Sequence, residues 1–96
     1  MKIHSFAHKG LRKLYADDET KGVAAATVDK LRKMLLFLDE MEELEELLML
    51  PKWDAHTLTG KRKGTWSLSV TANWRLTFRL DKTGRKILDL NLENYH

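Results

Sequence analysis

The chain has no cysteine, a single proline (Pro51) and five glycines in 96 residues. The lack of cysteine excludes disulfides and thiol chemistry and suits a reducing cytoplasm. No apolar run approaches the roughly 20 residues of a membrane span. The opening Met1-Lys2-Ile3-His4-Ser5-Phe6 has no apolar core of a signal peptide. A soluble, cytoplasmic protein that does not use a membrane is expected. Also missing are a Gly-rich phosphate loop, paired carboxylates flanked by apolar residues, and any nucleophile motif. There are no repeats, no low-complexity segments and no dividing linker, so residues 1–96 are read as a single domain.

Charge is present but unevenly placed. The net +3 conceals a block, residues 39–46, with six acids (Asp39, Glu40, Glu42, Glu43, Glu45, Glu46) and no base. The segments on either side carry +4 and +5. A basic surface beside one acidic block favours a polyanion partner, because Lys and Arg carry phosphate attraction. The acidic block is read as a solvated helix face or a contact for a basic partner.

The clearest local pattern lies in Gly60–Leu80. Trp66, Leu68 and Val70 alternate with Thr65, Ser67, Ser69 and Thr71; Trp74, Leu76, Phe78 and Leu80 alternate with Arg75, Thr77 and Arg79. Period two marks strands with one buried face. A two-residue Ala72-Asn73 turn would oppose Val70 to Arg75 and mix the faces. A three-residue loop of Thr71, Ala72 and Asn73 instead opposes Val70 to Trp74, Leu68 to Leu76 and Trp66 to Phe78, with Ser69 opposite Arg75. That loop asks for a left-handed last residue, which Asn73 tolerates. Trp66 and Trp74 then belong to the core, and Arg75, Thr77 and Arg79 share the polar face.

Before the hairpin, residues 1–6 suit an edge or central strand and Lys9–Tyr15 a short helix. Ala24, Val28, Leu31, Leu35 and Leu38 recur at helical spacing, and the stripe runs on through Met41, Leu44, Leu47 and Leu48 to Pro51. Whether Val23–Leu50 is one helix or two is left open. Lys52–Thr59 is a connector with Trp53 and His56. After the hairpin, Lys86–Glu93 alternates Leu88, Leu90 and Leu92 against Ile87, Asp89, Asn91 and Glu93, as a third antiparallel strand. The sum is an α+β fold: N-terminal helices packed on a small, mostly antiparallel β-sheet.

For chemistry there are four histidines. His4 and His8 straddle a predicted strand–loop boundary, so they are read as surface or cap residues; no metal site and no cofactor is expected. His56 and His96, with Arg75 and Tyr95, would make a set for cutting RNA. One imidazole removes the 2′-hydroxyl proton, another group protonates the leaving oxygen, and arginine stabilises the phosphorane charge. The alternative is that Tyr95-His96 simply ends a strand. The run Lys61-Arg62-Lys63 between Gly60 and Gly64 grips phosphate or is a solvated loop.

Phe6-Ala7-His8-Lys9-Gly10-Leu11, the long helix, Leu58-Thr59-Gly60-Lys61-Arg62-Lys63-Gly64-Thr65-Trp66-Ser67, Val70-Thr71-Ala72-Asn73-Trp74-Arg75-Leu76-Thr77-Phe78 and the closing Glu93-Asn94-Tyr95-His96 together resemble the HigB branch of the RelE-like toxins. The resemblance covers nearly the whole chain. It implies a type II toxin that cuts messenger RNA in the ribosomal A site and inhibits translation. The ribose 2′-hydroxyl attacks the adjacent phosphate and leaves a cyclic phosphate. It further implies a HigA-type helix-turn-helix antitoxin, with DNA reached only through that antitoxin. Matched by position, His56 and His96 are acid–base or orienting groups, Arg75 the phosphate stabiliser, and Tyr95 a stacking or hydrogen-bonding group. Lys9, Lys61, Arg62, Lys63 and, from the polar face, Arg79 are RNA contacts. Two departures bear on activity. Asn94 stands where relatives often have Asp, and an amide cannot exchange a proton at neutral pH. Thr59 stands where some relatives have lysine. Both point to a slow nuclease, or to the alternative of a non-catalytic toxin that binds the ribosome or gyrase; a third alternative is a purely structural partner of an antitoxin, its toxicity lost.

Overall fold

The computed structural model describes residues 1–94, in which the helices cover one face of a five-stranded sheet. The strands are β1 (Lys2–Ile3), β2 (His56–Thr57), β3 (Trp66–Ser69), β4 (Trp74–Leu80) and β5 (Lys86–Asn94), in the order β1-β5-β4-β3-β2. All neighbours are antiparallel except β1, an edge strand that lies parallel to β5. The helices are α1 (Lys9–Asp17) and α2 (Val28–Glu40). Leu11, Leu14, Leu31, Met34, Leu35 and Leu38 pack from the helices onto Leu68, Val70, Leu76, Phe78, Ile87 and Leu90 of the sheet. Each such side chain, fully buried, contributes about 1.5–3 kcal/mol of transfer free energy.

The hairpin register is the one expected: Trp66 faces Phe78, Leu68 faces Leu76 and Ser69 faces Arg75. The loop is held differently. Asn73 is not left-handed. The Thr71 hydroxyl instead accepts from the Asn73 and Trp74 amides (3.3 and 3.2 Å), a side chain taking the place of a turn amide–carbonyl bond. Trp74 is also not core. It sits at the end of the core face, beside a depression shared with His8, Val23 and Thr27 where the two helices start, and is 36% exposed. On the opposite face Thr65, Ser67 and Thr77 are buried, so the polar side of the hairpin is solvated only in part.

Strand β5 departs from strict alternation. Arg79 pairs with Leu88 and Thr77 with Asn91, so two residues, Asp89 and Leu90, oppose Phe78 alone. Asp89 takes a left-handed backbone (φ 53°), which short polar side chains accommodate. The bulge reverses the parity: Ile87 before it and Leu90 after it are both fully buried, whereas Leu88 is only half-buried.

The apolar stripe is not one helix. α2 begins at Val28, after a 3-10 turn at Ala25–Thr27, and Ala24 is exposed. It ends at Glu40, because Met41 is extended (ψ 144°). The Met1 ammonium donates to the carbonyls of Leu38 (3.1 Å), Asp39 (2.8 Å) and Met41, supplying donors to carbonyls that a helix end leaves open. The stripe resumes in a 3-10 helix, Leu44–Met49, whose start uses the acidic block: Glu46 accepts from the amides of Glu42 and Glu43 (2.8 and 2.9 Å). Leu47 buries, while Leu48 and Met49 do not.

Candidate active site

Opposed residues in a sheet share a face. Two adjacent rows therefore run across the polar face: His56–Ser67–Thr77–Asn91, and Ser69–Arg75–Glu93. With strands about 4.8 Å apart, His56 lies roughly 10 Å from Thr77. A cleft of about 240 Å³ opens beside the Thr77–Asn91 and Glu93 ends of these rows, lined by Arg62, Thr65, Thr77, Arg79, Asn91 and Glu93.

Glu93 is the hub. Its carboxylate accepts both ends of the Arg62 fork, Nη1 at 2.8 Å and Nη2 at 2.6 Å, and the Thr77 hydroxyl. The Arg62 hydrogen bonds, above all, hold its carboxyl below the usual range; the Thr77 hydrogen bond and the charges of Arg62 and Arg75 add to this, against the opposing effect of burial. Arg79 is paired with Asp89 at 2.6 Å. Arg75 is half-buried in the middle of the second row.

His56 is exposed, with Nδ1 2.7 Å from the Asp54 carbonyl oxygen. A carbonyl only accepts, so Nδ1 carries the proton and Nε2 of the neutral ring has a free lone pair. That is the tautomer a proton acceptor needs. Asp54 is held in a left-handed backbone (φ 46°) that turns its carbonyl to the ring, and its carboxylate lies 3.8 Å from Nδ1.

The fold thus brings His56, Arg62, Arg75 and Arg79 onto one face, where Arg62 is paired with Glu93 and Arg79 with Asp89. Lys61 and Lys63 flank Arg62 and are exposed. Lys9 starts α1, on the helix layer, beside a depression shared with Lys13, Glu19 and Lys21. Asn94 pairs with Trp74 at the far end of β5 and so points to the face opposite Arg75. Tyr95 and His96 lie outside the described residues. His8 is a cap: its Nδ1 accepts from the Leu11 amide at 3.1 Å, and burial lowers its pKa. Among the described residues no group of three His, Cys, Asp or Glu side chains is placed to hold a metal ion, and no helix is long and apolar enough to cross a membrane. Sequence reasoning passed over Glu93 and Thr77. The one available signal was the alternation of β5, which put Glu93 on the polar face without showing that Arg75 lies opposite.

Comparison with known proteins bears on this arrangement. Residues 4–96 match the model of a family described as the RelE-like toxin of the type II toxin–antitoxin system HigB. The chain is 42% identical over 94 residues to Endoribonuclease HigB of Proteus vulgaris, covering 98% of this chain and 99% of that one. In structure it resembles the YoeB/ParE toxin from Agrobacterium tumefaciens (TM-score 0.58, 17% identity, all of both chains). It also resembles the toxin–antitoxin complex RelBE2 from Mycobacterium tuberculosis (TM-score 0.54, 14% identity, 97% of this chain and 95% of that one), a likeness of fold alone. With a family model spanning nearly every residue and a full-length relative at this identity, the chain belongs to the HigB-like family of RelE-like type II toxins.

Proposed function

We propose that this toxin is an endoribonuclease that cuts messenger RNA in the ribosomal A site and so halts translation. The carrying observation is the full-length 42% identity to a protein named Endoribonuclease HigB. Membership of a type II toxin family implies an antitoxin partner; we take it to be a HigA-type helix-turn-helix protein, with DNA touched only through it. The site of action is the cytoplasm, and residues 1–96 act as one domain.

The polar face supports a division of labour. His56, with Nε2 bare, accepts the proton of the ribose 2′-hydroxyl. The resulting oxygen attacks the adjacent phosphorus, the bond from phosphorus to the 5′-oxygen breaks, and a 2′,3′-cyclic phosphate remains. Arg75 neutralises the charge that develops on the phosphorane. His96 returns a proton to the leaving oxygen and Tyr95 stacks on a base, while Asn94, on the face opposite Arg75, hydrogen-bonds outside this set without exchanging protons. Lys61, Arg62, Lys63, Arg79 and Lys9 contact the RNA or ribosome backbone. No metal or cofactor is invoked in any step.

The test is to incubate purified protein with messenger RNA, with and without programmed ribosomes, and map the ends. Cuts within the A-site codon that need the ribosome and vanish in Arg75→Ala are expected. Ribosome binding and growth inhibition that persist in Arg75→Ala and His96→Ala, with no cut in any sample, would replace this reading with the non-catalytic one.

A further inference from the structure

The polar face of this fold holds a filled anion site. Around the Glu93 carboxylate stand the two-pronged Arg62 guanidinium, the Thr77 hydroxyl and, directly opposite in the β4–β5 register, the positive charge of Arg75. Two guanidinium groups and a hydroxyl are the donor set that a phosphodiester takes, because the planar fork fits carboxylate and phosphate oxygens alike. The anion now filling the set belongs to the chain itself.

The geometry also allows that anion to leave. The Glu93 side chain is 21% exposed and Arg62 45%, so the pair sits at the rim of the cleft rather than beneath it. Arg62 rides on the turn Gly60–Arg62, where Gly60 (φ 69°) and Gly64 (φ 91°) flank the basic run with open space around both. A phosphate oxygen pair accepts the same two-pronged Arg62 contact that the carboxylate does, so trading one carboxylate for one phosphate is nearly balanced.

We infer that Arg62, Thr77 and Arg75 form a phosphodiester subsite, that Glu93 occupies it as an internal counter-ion in the free toxin, and that RNA displaces Glu93 on binding. This rests on the RNA-cutting reading and adds to it. Arg62 engages RNA only by releasing its own acid, and the internal acid competes most against weakly bound strands.

The experiment compares wild type with Glu93→Gln for binding of a short single-stranded RNA whose 2′-hydroxyls are methylated, so that it cannot be cut. Fluorescence anisotropy is read over a salt series. Displacement predicts that Glu93→Gln binds roughly two- to fivefold more tightly at low salt, the factor one exposed charge pair is worth. It also predicts a slope of log affinity against log salt steeper by roughly 0.7, one added cation on a single strand. Adding Arg62→Ala to Glu93→Gln removes both gains. A fixed brace predicts the reverse. Weaker or unchanged binding by a folded Glu93→Gln, with no change of slope, overturns the inference. Glu93→Asp, whose shorter carboxylate cannot keep the two-pronged contact, gives the same direction if Glu93→Gln fails to fold.

A second arm uses no RNA: inorganic phosphate is titrated while the Arg62 side-chain resonance is followed by NMR. A shift in Glu93→Gln that wild type shows only at much higher phosphate supports the subsite even if neither protein binds free RNA, and the RNA-cutting reading falls separately, on the absence of ribosome-dependent cuts. No shift in either protein overturns the subsite.

Discussion

Gly10→Ala reverses the usual rule for helices. Alanine in place of glycine inside a helix normally stabilises by about 1 kcal/mol. Gly10 is the second residue of α1 and is buried against the turn that leads to α2. A Cβ there would stand 2.7 Å from the Gly22 carbonyl carbon, closer still to its oxygen, and 2.8 Å from Cε1 of the His8 cap. Two of these atoms are backbone and cannot swing aside. The approach is mutual, since a Cβ on Gly22 would lie 2.5 Å from the Gly10 Cα. Relief requires parting the start of α1 from residue 22, and overpacking of this kind costs about 1–3 kcal/mol. Because the clashing carbonyl is backbone, the upper half of that range applies, about 2–3 kcal/mol. With the helix gain of about 1 kcal/mol subtracted, we expect Gly10→Ala to destabilise by about 1–2 kcal/mol, a fall in Tm of roughly 4–16 °C for a domain of this size. Thermal unfolding followed by circular dichroism measures it, with the exposed Arg12→Ala as a nearly silent control and Gly22→Ala expected to fall likewise. A Tm that holds or rises in Gly10→Ala would mean that the two backbones are not in contact.

Thr71→Val removes the acceptor for two loop amides and is expected to destabilise by about 1 kcal/mol, with faster amide exchange at Asn73 and Trp74. Tyr15 donates to Asp39 at 2.6 Å, and this hydrogen bond with partial burial pushes its pKa up to about 12. The bond needs the neutral phenol, so its stabilisation is whole below the unfolded value near 10 and disappears as pH rises through about 12. Ultraviolet titration should show a late phenolate that Asp39→Asn brings forward. For Glu93 the sign is opposite. Its folded carboxyl is depressed, so the contribution is whole above the ordinary carboxylate range and is lost as pH falls through the lower folded value. Acid unfolding of Glu93→Gln should lack that limb, and an unchanged acid limb would contradict the Arg62–Glu93 pairing. Phe78→Ala, emptying a site opposite the bulge, is expected to cost about 3–5 kcal/mol in urea unfolding.

The hairpin register was legible because alternation and loop length must agree: only one pairing keeps Arg75 from facing Val70, and that pairing is observed. The site was legible in residue types and scarcely in geometry. Arg62 and Arg79 read as bare cations, yet their acids, Glu93 and Asp89, lie 31 and 10 residues away in sequence. Spacing carries no information about such partners.

What the sequence by itself determined was what period and composition encode: an α+β chain, strands with one packed face, a basic polar face and a kinship spanning its whole length. Local chemistry sets these, because side-chain alternation follows from backbone geometry alone. The tertiary structure decided the rest. It ended α2 at Glu40 with the Met1 ammonium, and exposed Trp74 at the end of the core face. It reversed the parity of β5 through the Asp89 bulge, and set Asn94 on the face opposite Arg75. It also laid Glu93 between Arg62, Thr77 and Arg75. Each of these depends on which distant segment lies alongside, and a single strand or helix does not specify its neighbour.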